Sequence, residues 1–204
     1  MFGVADYGAF VLAVLIFLAI PGPGNLALLT STAKGGVRGG LAAACGVILG
    51  DQVLMWLAVA GVAAMLRANP ALFSAMQWLG AGYLAWLGLR LLFARPGSAP
   101  AVNIRPGHYL RQAMLITLLN PKAIMFYMAF FPLFVDPAQH RGLATFAFMA
   151  GTIALLALLY CITAIALARR LADRLRASPG ISRALEKLAG LVLVGFGIRL
   201  FSGR

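Results

Sequence analysis

Six runs of apolar sequence leave this chain few ways to fold. They lie at about residues 6–32, 39–65, 69–93, 109–134, 142–168 and 184–201. Each approaches or exceeds the roughly 20 apolar residues that a helix needs to cross a hydrocarbon core. With 62% hydrophobic and 11% charged residues, a soluble domain of 204 residues could not bury so much apolar surface. The expectation is an all-α integral membrane protein of six transmembrane helices. Glu186 and Lys187 shorten the last run, which leaves five spans as the alternative. The first run is too long for a signal peptide and lacks a basic region before it, so it reads as the first membrane helix.

The connecting segments carry the charge. Lys34, Arg38, Arg90, Arg95, Arg105, Arg111, Arg169, Arg170, Arg174, Arg176, Arg183 and Lys187 fall on one side of the expected bundle. Only Arg67, Arg141, Arg199 and Arg204 fall on the other. Basic residues gather on the cytoplasmic face, so this asymmetry places both termini in the periplasm of a bacterial inner membrane. The net charge of +12 then faces anionic lipid at the cytoplasmic loops rather than nucleic acid. Cys45 and Cys161 are isolated within apolar runs and read as small core residues. His108 and His140 lie at span edges without metal-ligand spacing. No metal or cofactor is expected.

Residues 94–107, with three prolines and two glycines, form the one linker-like stretch. They divide a single transmembrane domain (1–204) into repeats at about 1–93 and 108–204. Three spans on each side imply two three-helix repeats of inverted topology. The endings Gly88-Leu89-Arg90-Leu91 and Gly197-Ile198-Arg199-Leu200 echo one another. The series Gly36, Gly40, Ala42, Gly46 and Gly50 gives the second helix a face of small residues for close packing, which would also permit a homodimer.

Two interruptions point to function. Pro21-Gly22-Pro23-Gly24-Asn25 breaks the first span, and Asn120-Pro121-Lys122 breaks the fourth, each near the midplane. Broken backbone is tolerated at membrane depth only where protein or a water-filled cavity satisfies it. Paired breaks in corresponding halves point to a transporter's binding site. Asn120 has the chemistry of a helix cap and Pro121 that of a first helical residue, and Pro23 restarts the first break in the same way. Helix starts of this kind bind carboxylates. Lys122 lies about 13 residues from either end of its span, roughly 20 Å, too far for its side chain to reach water. Asp51 is the acidic residue deepest in a span. The two are expected to face one cavity, either paired directly or sharing a zwitterion, with Asp51 suited to proton coupling. Asn25 and Gln52 are further hydrogen-bonding candidates, although packing suits Gln52 better. Gln77, Trp78 and Tyr83 are lining residues or interface anchors.

These motifs resemble the lysine exporter (LysE/RhtB) family over essentially the whole chain. The resemblance rests on Pro21-Gly22-Pro23-Gly24-Asn25, the glycine-rich run from Gly35 to Gly50 followed by Asp51, and Leu119-Asn120-Pro121-Lys122-Ala123. It continues through Phe131-Pro132-Leu133-Phe134-Val135. One departure is Leu133, where the family often has glutamine before the phenylalanine. The resemblance implies a bacterial inner-membrane exporter of amino acids or their derivatives, driven by protons. It would not be an enzyme, and no nucleophile–base or metal constellation argues otherwise. A channel, or an exporter of another small solute, is the alternative.

Overall fold

The computed structural model describes residues 3–20, 22–68, 102–135 and 141–177, with single positions between 71 and 93 and at 187, 191 and 194. The third and sixth expected spans, Pro21, Gln77, Tyr83 and His140 therefore lie outside the described residues or nearly so. The described part is helical: α1 (Tyr7–Ala19), α2 (Pro23–Ala68), α3 (Tyr109–Leu118), α4 (Pro121–Phe134) and α5 (Leu143–Ala177).

Both expected breaks are present. α1 opens on Asp6, whose carboxylate accepts from the Ala9 N–H at 2.9 Å. It closes at Ile20, which is extended, and a new helix starts at Pro23. The second break separates α3 from α4, which are bent by 57°. Asn120 caps α4 through its side chain, and Pro121 takes the first helical position, where a missing N–H costs nothing.

A third feature was not expected. α2 reverses at Gly36, whose φ of 60° and ψ of −156° are open to glycine but strained for other residues. On a straight helix, residues eight apart stand about 12 Å apart along the axis. Here a Cβ on Gly39 would lie 2.5 Å from the Ser31 carbonyl oxygen, and one on Gly40 the same distance from Thr32 Oγ1. Residues 23–35 therefore continue beyond the first break, and residues 37–68 return beside them. The stretches Pro23–Gly61 and Leu143–Ala168 are each apolar enough for a span, and α3 with α4 adds a bent one.

The two broken segments lie side by side in opposite directions. Phe10 meets Phe130 and Phe134, and Phe17 stacks on Phe126 with ring centroids 3.7 Å apart. Further on, Gly24 faces Thr117 and Gly35 faces Tyr109. At one end, the Ala5 N–H donates to the Phe134 carbonyl at 3.1 Å. At the other, the Lys34 ammonium donates to the Ile104 carbonyl at 2.9 Å and to Asn103 Oδ1 at 3.3 Å. The end of the linker is thus fastened to the first loop, and Ile104 is fully buried there.

Two apolar clusters follow. The larger gathers Phe10, Phe17, Phe126, Tyr127, Phe130 and Phe134 with Met149 and Ile153 of α5. The smaller gathers Ala27, Leu28, Ala43, Ala44, Ile104, Cys161 and Ile165. Leu57, Leu155 and Leu159 are exposed, as on a surface that meets lipid chains. Cys161 is core as expected, but Cys45 is exposed, because it lies one residue past the buried Ala43–Ala44 pair on the turning helix face.

Of the expected small-residue face, Gly40, Gly46 and Gly50 pack closely, whereas Gly36 forms the turn and has no neighbour within 4 Å of a Cβ built on it. A Cβ on Gly46 would collide with the backbone carbonyl of Leu110, and one on Gly50 would lie 2.9 Å from Thr117 Cβ. Gly46→Leu should therefore force α2 from α3 and cost several kcal/mol, since backbone cannot move aside as a side chain can. The check is thermal unfolding in detergent, where Tm should fall by several degrees or folded protein should be lost. An unchanged Tm would show that this contact is dispensable.

Candidate functional site

The two breaks open onto one cavity. Its walls include Phe17, Leu18 and Ile20 from the end of α1, and Gly22, Gly24 and Asn25 from the restart. Val47 and Asp51 come from the returning limb of α2, and Thr117, Asn120, Lys122 and Ala123 from the second break. Of the sequence-based candidates, Gly22, Gly24, Asn25, Asp51, Asn120 and Lys122 meet here. Pro23 and Pro121 start the two helices beside it.

The cavity's electrostatics begin with α1. A helix ends with carbonyls that lack intrahelical partners and with negative dipole charge. Lys122 Nζ donates to the Ile20 carbonyl at 2.9 Å and to that of Phe17 at 3.4 Å. Asn25 Nδ2 donates to the Leu18 carbonyl at 2.9 Å and to that of Ile20 at 3.2 Å. Two side chains from beyond the break thus cap α1. Lys122 also stands 4.8 Å from the centre of the Phe17 ring. The second break therefore supplies the cation that closes the first.

This arrangement bears on two expectations. Of the two possibilities left open for Lys122 and Asp51, the close ion pair is not formed, because the ammonium is drawn to the carbonyl end of α1; the two charges act on each other across the cavity. Asn25 spends its amide on the same carbonyls. Asp51 is 3% exposed, and its near partner is the hydroxyl of Tyr127, which donates to the carboxylate. Gln52 donates to the Ala150 carbonyl at 3.3 Å, a contact that ties α2 to α5.

Tyr127 and Thr117 were missed in the sequence. Tyr127 stands five residues after Lys122 among phenylalanines and reads there as core. Thr117 lies on the last turn before Asn120 and is 3% exposed. Its position three residues ahead of the break was the available signal.

A cavity at the meeting of two broken helices, with one buried acid and one base, suits a small polar solute in transit. The model of the LysE type translocator family matches residues 15–204. The chain belongs to that family. This LysE-type protein is thus a multi-pass inner-membrane transporter and not an enzyme. A leucine efflux protein of Salmonella typhimurium is 35% identical to it, covering 98% of this chain and 96% of that protein. One from an Enterobacter species is 36% identical over 98% and 97% of the two chains. An uncharacterized membrane protein of Pseudomonas aeruginosa is 37% identical over 97% and 95%. No solved structure matches the chain.

Proposed function

We propose that this protein exports an amino acid across the bacterial inner membrane by proton antiport, with leucine the first substrate to test. The observation that carries this reading is the single cavity formed by both breaks, with Asp51 and Lys122 on its wall. The family supports amino-acid efflux, and the names of the Salmonella and Enterobacter relatives direct attention to leucine. An amino acid is a zwitterion, so it needs an anionic and a cationic subsite. Asp51 suits its ammonium group or, in its absence, a proton. The helix starts at Pro23 and Pro121 suit its carboxylate.

The proposed architecture is six spans in two inverted three-helix repeats with both termini periplasmic. The antiparallel pairing of the two broken segments supports inversion, as does the shared end of Lys34 and Asn103. In the proposed alternating access, one of the two apolar clusters beside the cavity would open while the other stays closed. The basic loops would rest on anionic lipid. A homodimer would use a surface other than Gly40, Gly46 and Gly50, which pack within the chain.

Counterflow in proteoliposomes tests the transport class. Vesicles loaded with unlabelled leucine should accumulate labelled leucine transiently and saturably. A channel gives no such overshoot, and a wild-type protein that moves no amino acid would reject the reading.

A further inference from the structure

The unexplained group at this site is the hydroxyl of Thr117. A buried hydroxyl without a hydrogen bond is costly, and membrane helices ordinarily avoid the cost by bonding back to a carbonyl one turn earlier. Thr32, Thr152 and Thr163 do so, donating to Leu28, Phe148 and Leu159 at 2.8–2.9 Å. Thr117 does not. Its Oγ1 is buried with no partner, although the residue lines the cavity. Thr117 Cβ is also held 2.9 Å from where a Cβ on Gly50 would lie, so the returning limb fixes its place.

What faces this hydroxyl is the start of α2. Thr117 Oγ1 lies 3.7 Å from the position of a Cβ on Gly24, the second residue of that helix. First-turn N–H groups have no carbonyl four residues back to bond, and a capping side chain usually serves them. α1 has Asp6 and α4 has Asn120 in that role. α2 has Gly22, which brings no side chain, and a Cβ added there would lie 3.5 Å from Lys122 Nζ. Three features that favour an anion therefore border one space: a helix start preceded by a glycine that brings no capping side chain, a free hydroxyl and a flanking ammonium.

We infer that Thr117 orients the transported amino acid by donating to its carboxylate, which lies at the first turn of α2 while the ammonium points toward Asp51. This rests on the proposed function and adds the anionic subsite and its specificity. The site selects a free carboxylate and discriminates against amines and amides of the same side chain.

The test is counterflow of L-leucine and L-leucinamide in proteoliposomes, with Thr117→Val, Thr117→Ser and wild type. Valine keeps the shape and removes the hydroxyl, so KM for leucine should rise about tenfold or more, the scale of a hydrogen bond to a charged group. Vmax should change much less, the preference for leucine over leucinamide should shrink, and serine should restore both. Should the valine variant not purify folded, Thr117→Ala replaces it in the same comparison. A hydroxyl-free variant with wild-type KM and preference, beside an active wild type, would overturn this subsite alone. So would serine and valine behaving alike. A wild type that exchanges no leucine would instead reject the proposed function, and this assignment with it.

Discussion

Asp51→Asn is expected to separate substrate exchange from proton-driven transport. The substitution keeps size and hydrogen-bonding capacity but removes the only carboxylate on the cavity wall among the described residues. Under the proposed antiport, loading and unloading a proton there in wild type changes the cavity's charge between the two directions of travel. An amide holds one charge state throughout. Leucine counterflow should persist at a measurable rate with a raised KM, because the ammonium loses its charged partner. Accumulation driven by a pH gradient should fall by an order of magnitude or more. Tyr127, whose hydroxyl meets the carboxylate, should act through Asp51, so Tyr127→Phe should weaken coupling less than Asp51→Asn does. Equal gradient-driven accumulation in Asp51→Asn and wild type would remove Asp51 from the coupling step.

Lys122→Met should do broader damage. The ammonium serves carbonyls at the end of α1, and removing it takes the Lys122 donor from the Phe17 carbonyl, leaves the Ile20 carbonyl with Asn25 Nδ2 in place of two side-chain donors, and leaves Asp51 without a countercharge across the cavity. Breaking a buried charged arrangement by deleting one member costs about 3–5 kcal/mol. The half-buried position of Lys122 places the expected loss toward the lower end of that range. Both counterflow and gradient-driven transport should be lost, with a Tm several degrees below wild type. The charge exchange Asp51→Lys with Lys122→Asp should not restore either, because a carboxylate at 122 would face the carbonyls of Phe17 and Ile20. Recovery in the exchanged protein would mean that the two residues form only an interchangeable pair.

How much of this was legible in the sequence depends on the reach of each interaction. The breaks, the Asn120 cap and the helix starts at Pro23 and Pro121 are written in adjacent residues, and the structure has them where the sequence placed them. The place of Asp51 well inside the second apolar run follows from counting along a helix, and the residue is buried within the protein. The reversal at Gly36 was masked by its neighbours, since a glycine among Gly35, Gly39 and Gly40 reads first as a packing face. The cap of α1 by Lys122 joins residues 102 to 105 positions apart. Pairing across helices has no local signature, and opposite charge alone left open whether Lys122 pairs with Asp51 or shares a zwitterion with it. Thr117 was hidden for a related reason: a threonine in a membrane helix usually satisfies itself, and only the surroundings reveal that this one does not.

The most direct measurement of the central claim is proton movement driven by leucine alone. Proteoliposomes containing a pH-sensitive dye, with no imposed pH gradient, would receive a leucine gradient across the membrane. The account expects protons to move against the direction of leucine flow in wild type and to stay in place in Asp51→Asn, while leucine exchange continues in both. Leucine flux with no pH change in wild type would contradict proton antiport, and identical proton flux in the two proteins would contradict the assignment of that step to Asp51.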